Sequence, residues 1–266
     1  MLTRTTKQCS YNKENEGKIM RQQKFLMISC AVLARECYSC ASLSRNIIDI
    51  RIIEQGLHDV GEAKMAASLQ NTINSVEIDK YDAILLAYGL CNNGIRNLHA
   101  ELQLVIPRAH DCITLLMGSK EAYQDYFNEH PGTFFQSVGW SERSKDNLSN
   151  PESTTRQMGF GTYEEYVKIY GEENAKYLMQ ELGNGLKNYT QLTFIDTGME
   201  NSNRLKGELK EWACNEKWEY DEYQGNTRLL LMLMNGEWEK SEFLVIEPGN
   251  TISPTYDDRI IQSISK

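Results

Sequence analysis

The chain has 266 residues, of which 41% are hydrophobic and 24% are charged, and this composition is typical of a globular protein with a substantial core. The formal net charge of −9 at pH 7 repels phosphate backbones and anionic lipid surfaces, so it argues against nucleic-acid and membrane-surface binding. No apolar run approaches the roughly 20 residues that span a bilayer; the longest covers only residues 229–234. We therefore expect one large or two small domains, with no nucleic-acid partner and no membrane span.

The beginning of the chain differs in character from the rest. Residues 1–23 are polar and lack the apolar centre of a signal peptide, so we expect a flexible leader on a cytoplasmic protein. The sequence does not decide whether translation starts at Met1 or at Met20. Seven cysteines in a chain too large to depend on disulfides then indicate buried thiols, a reactive thiol or metal ligands.

Predicted strands and helices alternate in the first half of the sequence. Short apolar or β-branched runs predict the strands, and amphipathic stretches between them predict the helices. The alternation predicts an α/β fold made of parallel-sheet, doubly wound (Rossmann-like) lobes with helices on both faces. We assign residues 24–118 to a first lobe, with strands at 24–29, 49–54, 81–88 and 102–107 and helices at 31–45, 61–75 and 112–118.

The second half divides into a connecting region and a smaller lobe. Residues 119–188 are rich in aromatic and acidic residues, and we expect a helical connecting region there with helices at 162–170 and 172–186. The alternating pattern then resumes and predicts a second small α/β lobe over residues 189–266. Its predicted elements are strands at 192–196, 218–220 and 243–247 and helices at 203–216 and 227–234.

Three cysteines follow predicted strands of the first lobe. Cys30, Cys91 and Cys112 each lie within a few residues of a strand end, and the carboxyl ends of parallel strands form the usual ligand-binding edge of such a sheet. Thiolates are soft ligands that suit an iron–sulfur cluster, zinc or another thiophilic metal. Two other interpretations stay open: a thiol that acts without a metal, and inert packing of a small, frequently buried residue.

The densest polar cluster comes directly after the fourth predicted strand. Arg108 is expected to bind an anionic group of a substrate in bidentate fashion. His110 is expected to act as a fourth metal ligand or as a proton donor, with Asp111 as its catalytic partner that fixes the tautomer. The alternative is structural: Asp111 caps the following helix and Arg108 forms an ordinary salt bridge.

Two further loops carry candidate substrate-binding residues. The turn Asn92-Asn93-Gly94 follows the third strand and can expose backbone N–H groups, although a tight turn without a ligand is an equal alternative. Glu54 and His58 follow the second strand and are expected to contact substrate or to form an acid–base pair; here too, turn chemistry is the alternative.

The remaining cysteines have a weaker local case. Cys37 and Cys40 form a C-x-x-C pair, but they lie beyond the first turn of the predicted helix, where its dipole has little effect on thiols. We expect them to pack in the core. Cys9 in the leader and Cys214 in a polar helix are expected to be incidental.

Several strings of the sequence resemble one family. They are YDAILLAYGLCNNGI, LVIPRAHDCITLLMGS and HPGTFFQSVGW, and with shorter matches they resemble the DUF1638 family of bacterial and methanogen proteins over residues 24–249. The family is one of unknown function, and its motif positions correspond here to Cys30, Cys91, Arg108, His110, Asp111 and Cys112. The resemblance also implies a setting beside corrinoid-dependent methyltransferases that act on methylated amines.

These observations lead to one expected function and one main alternative. We expect a cytoplasmic protein that binds an iron–sulfur cluster, zinc or a related metal through its three strand-end cysteines, for redox or ligand-exchange chemistry in one-carbon or methylamine metabolism. The alternative is a non-enzymatic module that binds a small anionic ligand or a corrinoid protein, with structural cysteines. The sequence decides neither whether the protein is an enzyme nor its oligomeric state.

Overall fold

The computed structural model describes residues 21–53, 62–91, 93–143, 167, 171–172, 189–199 and 202–265. Most of the predicted leader and of the predicted helices at 162–170 and 172–186 therefore lies outside the described residues. The helices and strands are β1 (Lys24–Cys30), α1 (Ala34–Leu43), β2 (Ile47–Ile53), α2 (Glu62–Asn74), β3 (Ala83–Ala87), β4 (Leu104–Pro107), α3 (Cys112–Met117), α4 (Lys120–Glu129), β5 (Thr133–Ser137), α5 (Val138–Arg143), β6 (Gln191–Asp196), α6 (Asn203–Glu216), β7 (Glu219–Gln224), α7 (Arg228–Asn235), β8 (Phe243–Ile246), β9 (Asn250–Pro254) and β10 (Ile261–Ser265).

The main sheet has five strands in the order β2-β1-β3-β4-β8. Its first four strands are parallel, and β8 pairs antiparallel with β4. The central strands are almost continuous apolar runs, KFLMISC in β1 and AILLA in β3, and nearly all of their side chains are buried. Such runs are typical of strands covered on both faces. The molecule is thus a mixed α/β protein with a mostly parallel sheet, as the alternating pattern predicts.

Strand β8 belongs to the main sheet. The sequence analysis places a strand at 243–247 in the second lobe, but this segment joins the first sheet, where Phe243 pairs with Pro107 and Ile246 pairs with Leu104. Three of its four apolar side chains are buried. The lobe boundaries at residues 118 and 188 stay predictions.

A second, three-stranded parallel sheet has the order β5-β6-β7. Strand β5 lies in the connecting region that was predicted to be helical. Its sequence TFFQS is rich in aromatic and small polar residues and gave no clear alternating signal, whereas β6 and α6 agree closely with the predicted elements at 192–196 and 203–216.

The carboxyl ends of the two sheets meet. A Cβ atom on Gly139 of α5 would lie 1.7 Å from the carbonyl oxygen of Val32, which follows β1. After β7, the backbone N–H of Asn226 donates to the carbonyl of Leu116 in α3 over 2.9 Å. Ligands bind beyond the carboxyl ends of parallel strands, so this contact region is the expected position of a ligand site. Among the described residues, no helix is long and apolar enough to cross a membrane.

Candidate functional site

The three candidate metal ligands lie at the carboxyl edge of the main sheet. Cys30 is the last residue of β1 and precedes a short 3-10 turn (Ala31–Leu33) that leads into α1. Cys91 lies in the turn after β3, and Cys112 is the first residue of α3 after β4. All three are buried in one hydrophobic cluster. The sequence prediction that they share one edge of the sheet therefore agrees with the fold.

Two backbone hydrogen bonds hold the loops after β3 and β4 together. The N–H of Leu90 donates to the carbonyl of Ala109, and the N–H of Cys91 donates to the carbonyl of His110, both over 2.8 Å. Gly89 permits this approach, since a Cβ atom at that position would lie 2.5 Å from the backbone nitrogen of Asp111. These bonds continue the pairing of β3 and β4 beyond the ends of the strands, and they fix the backbone positions of Cys91 and Cys112 relative to each other.

Cys91 has an unfavourable backbone conformation. Its φ of 48° places it in the left-handed region, which costs a residue with a Cβ atom about 1–2 kcal/mol. Glycine would adopt this conformation without that cost. A cysteine at such a position is consistent with a role for its thiol, because strained residues concentrate at functional sites.

Burial keeps these thiols protonated. It raises the pKa of Cys30, an effect that the backbone N–H groups of Val32 and Ala31 partly offset. It also raises the pKa of Cys91 and of Cys112, and the nearby Asp111 carboxylate raises both further. Thiols in this state are poor nucleophiles, because the thiolate is the reactive form.

The three thiols are close enough to influence one another. Cys91 and Cys30 both raise the pKa of Cys112, and Cys30 raises that of Cys91. The indole of Trp140 in α5 lies beside Cys112 and opposes the increase in its pKa. The helix that follows the second sheet's β5 therefore lies against the cysteine site.

Tyr88 presents a buried hydroxyl to the same place. The residue is only 2% exposed, and no described residue accepts from or donates to its hydroxyl oxygen. Burial raises its pKa well above the ordinary value, and further increases come from Cys30, Cys91, Cys37 and Cys112, in that order. An unpaired buried hydroxyl costs about 1–3 kcal/mol, so a group that accepted the hydrogen bond of Tyr88 would be favoured at this place.

Cys37 is nearer to this site than the sequence analysis assumed. It is fully buried in α1, and its Sγ lies 3.2 Å from the hydroxyl of Ser29. Burial raises its pKa to about 12. Cys40, one turn later, contacts the carbonyl of Thr227 instead, at 3.8 Å. Both thiols lie in the core as predicted. Of the two, only Cys37 is among the residues that raise the pKa of Tyr88.

The described residues contain no ready-made metal site. Within them, no group of three or more His, Cys, Asp or Glu side chains is arranged to hold a metal ion. All six cysteines in this part of the chain are free thiols. A metal would therefore have to draw its ligands closer than they lie here.

Asp111 has a clear structural role. It is the N-cap of α3, and its Oδ1 accepts from the N–H groups of Ile113 and Thr114 over 3.0 and 3.2 Å. The hydroxyl of Tyr123 donates to Oδ2 over 3.4 Å. Burial raises the pKa of this carboxyl. These contacts match the capping alternative, and a catalytic role for Asp111 stays a prediction.

The side chains of His110 and Arg108 have environments different from that of the three cysteines. His110 is exposed and lines a groove of about 670 Å³ together with residues of α4 and of the segment after β9. Arg108 donates from Nε to the carbonyl of Lys240 over 2.9 Å and from Nη1 to that of Arg259 over 2.7 Å, and also to that of Ile261. These bonds account for the guanidinium without an anion or a carboxylate, so anion binding by Arg108 stays a prediction.

The turn after β3 is well accounted for by packing. Asn93 has a φ of 66°, and a Cβ atom on Gly94 would lie 2.2 Å from Sδ of Met65 in α2. A side chain at residue 94 would therefore require the Met65 side chain to shift. Asn92, Glu54 and His58, the other predicted substrate-binding residues, lie outside the described residues.

Glu36 is a buried carboxylate that the sequence analysis missed. It is 1% exposed, and its Oε1 accepts from the hydroxyl of Thr197, after β6, over 2.7 Å. No described residue bonds to its Oε2, and burial raises its pKa. Glu36 and Cys40 are four residues apart and therefore share one helix face. Because Cys40 is predicted to pack in the core, this spacing is the signal in the sequence that Glu36 is buried.

The fold and the site together define a mixed α/β protein with a buried cysteine cluster where the carboxyl ends of two parallel sheets meet. Residues 52–234 match the family model described as "Protein of unknown function (DUF1638)", and because the match covers more than half of the chain, the protein belongs to this family. The match includes Cys91 and Cys112 but begins after Cys30. No curated protein and no solved structure matches the chain.

Proposed function

We propose that the protein binds a thiophilic metal ion or an iron–sulfur cluster through Cys30, Cys91 and Cys112. The observation that carries this proposal is the unpaired Tyr88 hydroxyl, which lies fully buried beside these thiols. A buried polar group without a partner is rare in native proteins and calls for an explanation. A metal-bound thiolate or a cluster sulfide would accept its hydrogen bond.

The chemistry of the donors suits such a group. Three thiolates from three loops are soft ligands, and they leave a coordination position open. A bound metal deprotonates coordinating thiols outright and so overcomes the raised pKa values. When bound, the group would supply redox or ligand-exchange chemistry. The chain itself would exclude water, orient the thiols from the ends of β1, β3 and β4, and direct the Tyr88 hydroxyl at a sulfur.

Anaerobic purification with metal analysis and visible spectroscopy tests the proposal. Protein from cells rich in iron and zinc is expected to contain metal, and Cys91→Ala and Cys112→Ala are each expected to lose it. Cys40→Ala, which removes another buried thiol, is the matched control and is expected to retain the metal. Metal-free wild-type protein, or full retention of metal by the Cys91→Ala and Cys112→Ala variants, would contradict the proposal.

The cellular setting is a separate part of the proposal. We place the protein in the cytoplasm, where reducing conditions keep cysteines as free thiols, and in one-carbon or methylamine metabolism beside corrinoid proteins. The support for that metabolism is the resemblance to the family alone. We also propose that the main sheet is doubly wound, since α1 contacts β2 and Arg51 of β2 hydrogen bonds to α2.

A non-enzymatic binding module is the second candidate. The absence of a ready-made metal site in the described residues favours it, as does the burial of all three cysteines in the hydrophobic cluster. A triple variant with alanine at residues 30, 91 and 112 separates the candidates. If this variant folds and sustains the cellular function of the wild type, the thiols are structural; if it folds and loses that function, the metal proposal is supported.

A further inference from the structure

Strand β2 is the outermost strand of the main sheet on the side away from β8. Among the described residues, no strand pairs with it on the side away from β1. Five of its seven residues are isoleucine in the sequence IIDIRII, with neither proline nor an internal lysine. Proline and lysine often protect exposed edges, because an unprotected edge pairs readily with another chain; the charged side chains of β2 are instead one acidic and one basic residue, Asp49 and Arg51.

The orientation of the β2 backbone determines which groups remain open. The N–H of Ile47 donates to the carbonyl of Gln23 over 2.9 Å, so residue 47 bonds towards β1. Alternate residues of a strand in a parallel ladder face the same neighbour. The backbone N–H and C=O groups of Ile48, Ile50 and Ile52 therefore face away from β1, and no strand in the described part of the chain pairs with them.

The sequence of β2 is symmetric about its central residue, except that the two charged residues have opposite signs. Asp49 and Arg51 flank the central Ile50, and isoleucines follow on both sides. We infer that two copies of this chain pair antiparallel through β2, with the two-fold axis at Ile50. Ile50 then faces its own copy, and Ile48 faces Ile52 of the other chain through the outward backbone groups. Each Asp49 lies opposite an Arg51.

Charge complementarity selects this register over its neighbours. The outward-facing residues require a two-fold axis that passes through a residue of the strand. An axis at residue 49 would place Asp49 opposite Asp49, and an axis at residue 51 would place Arg51 opposite Arg51. Like charges directly opposite one another are destabilising, and opposite charges are stabilising. Only the axis at Ile50 pairs unlike charges twice and aligns all seven residues.

The side chains around the edge fit the same occupant. A groove of about 450 Å³ runs beside β2 and includes Tyr38, Ala41, Ile48 and Ile50 in its lining. Tyr38 is 56% exposed and Ile47 is 46% exposed, which is high for large apolar side chains. Asp49 already bonds to Tyr81 and Lys24 on its own chain, and its carboxylate, which is 43% exposed, can accept more.

Analytical ultracentrifugation of the full chain tests this inference. The wild type is expected to be a dimer, and both Arg51→Glu and Asp49→Lys are expected to weaken it by about tenfold or more, because each places like charges opposite one another. An equal mixture of the two variants is expected to dimerise again. In the mixed dimer the two substituted side chains carry opposite charges and face each other, and Arg51 of one variant faces Asp49 of the other. Arg204→Glu and Glu208→Lys on α6 change the net charge equally and are the controls.

The outcomes separate clearly. A monomeric wild type, a dimer that Arg51→Glu leaves intact, or a mixture of the two variants that stays monomeric would each overturn the inference. Ile50→Pro provides a second test if Asp49→Lys fails to fold. It removes an outward-facing N–H, which edge strands tolerate, and the partly buried Ile50 side chain at the proposed two-fold axis, so it is expected to give a folded monomer. A folded Ile50→Pro dimer would also contradict the inference.

Discussion

Gly89 lies directly against the backbone of Asp111, with its missing Cβ atom 2.5 Å from the Asp111 nitrogen and 2.6 Å from the Asp111 Cα. Neither of these atoms can move as the end of a flexible side chain would. The loops that carry Cys91 and Cys112 therefore depend on the absence of a side chain at residue 89.

Gly89→Ala is expected to destabilise the protein by about 1–3 kcal/mol, the range for an atom forced into a packed region. Denaturant unfolding measures the change. Gly207→Ala is the control, since nothing lies within 4 Å of a Cβ atom there, and alanine in a helix interior is favoured by up to about 1 kcal/mol. Equal effects of the two substitutions would show that the contact at Gly89 does not matter.

Tyr88→Phe is expected to leave the metal-free protein as stable as the wild type or to stabilise it by about 1 kcal/mol, because it removes an unpaired buried hydroxyl. Tyr126→Phe is the matched comparison. The Tyr126 hydroxyl lies 2.7 Å from Thr193 Oγ1 and 2.7 Å from Asp221 Oδ2, so its loss is expected to cost about 1–3 kcal/mol. A large loss of stability in Tyr88→Phe would mean that its hydroxyl has a partner.

Glu36→Gln is expected to change how stability depends on pH. Burial raises the pKa of Glu36 in the folded state, so the folded protein holds this proton more tightly than the unfolded chain does. The free energy of unfolding of the wild type should then fall, relative to Glu36→Gln, as pH rises above about 4.3, the ordinary glutamate value. The difference should stop growing above the raised pKa.

Glu222→Gln is the control of opposite sign for Glu36. Lys206 and Lys210 lower the pKa of Glu222, so its stabilising effect is present at neutral pH and is lost as pH falls through the lowered pKa. Urea unfolding at a series of pH values measures both differences. Parallel curves for the wild type and Glu36→Gln would contradict the burial of an ionisable Glu36.

Thiol labelling is expected to distinguish the cysteines by exposure. In metal-free protein, iodoacetamide should modify exposed Cys214 well before Cys30, Cys91 and Cys112, which are buried and protonated at neutral pH because burial raises their pKa. Mass spectrometry of brief time points gives the order. Early labelling of Cys91 or Cys112 would instead support a thiol that acts without a metal.

Arg108→Ala is expected to destabilise the protein by about 1–3 kcal/mol, because it removes the side-chain donor to the carbonyl of Lys240 and one of the two donors to that of Arg259. Arg204→Ala on α6, where the arginine side chain is 90% exposed, should change stability by less than about 0.5 kcal/mol. Thermal unfolding with and without added phosphate or carboxylates provides the measurement. Anion-dependent stabilisation that Arg108→Ala abolishes would show that Arg108 also binds an anion.

Local patterns predicted those parts of the fold that carry a strong periodic signal. The buried runs of β1, β3 and β4 and the amphipathic α6 lie close to their expected positions. Strand β5 was missed because TFFQS has no alternation, and it becomes a strand only by pairing with β6. The same division holds for the site. The position of the cysteines at the edge of the sheet could be predicted from the sequence, but the unpaired Tyr88 hydroxyl and the burial of Glu36 could not.

The sequence by itself determined an acidic α/β protein of the DUF1638 family with three cysteines at strand ends, because those features depend on composition, periodicity and short strings. The tertiary structure alone decided that β8 runs antiparallel beside β4 and that Arg108 donates to the carbonyls of Lys240 and Arg259. These outcomes depend on which distant segments pack together. Local sequence does not encode that choice, because the burial of a side chain and the partner of a polar group are set by residues far away in the chain.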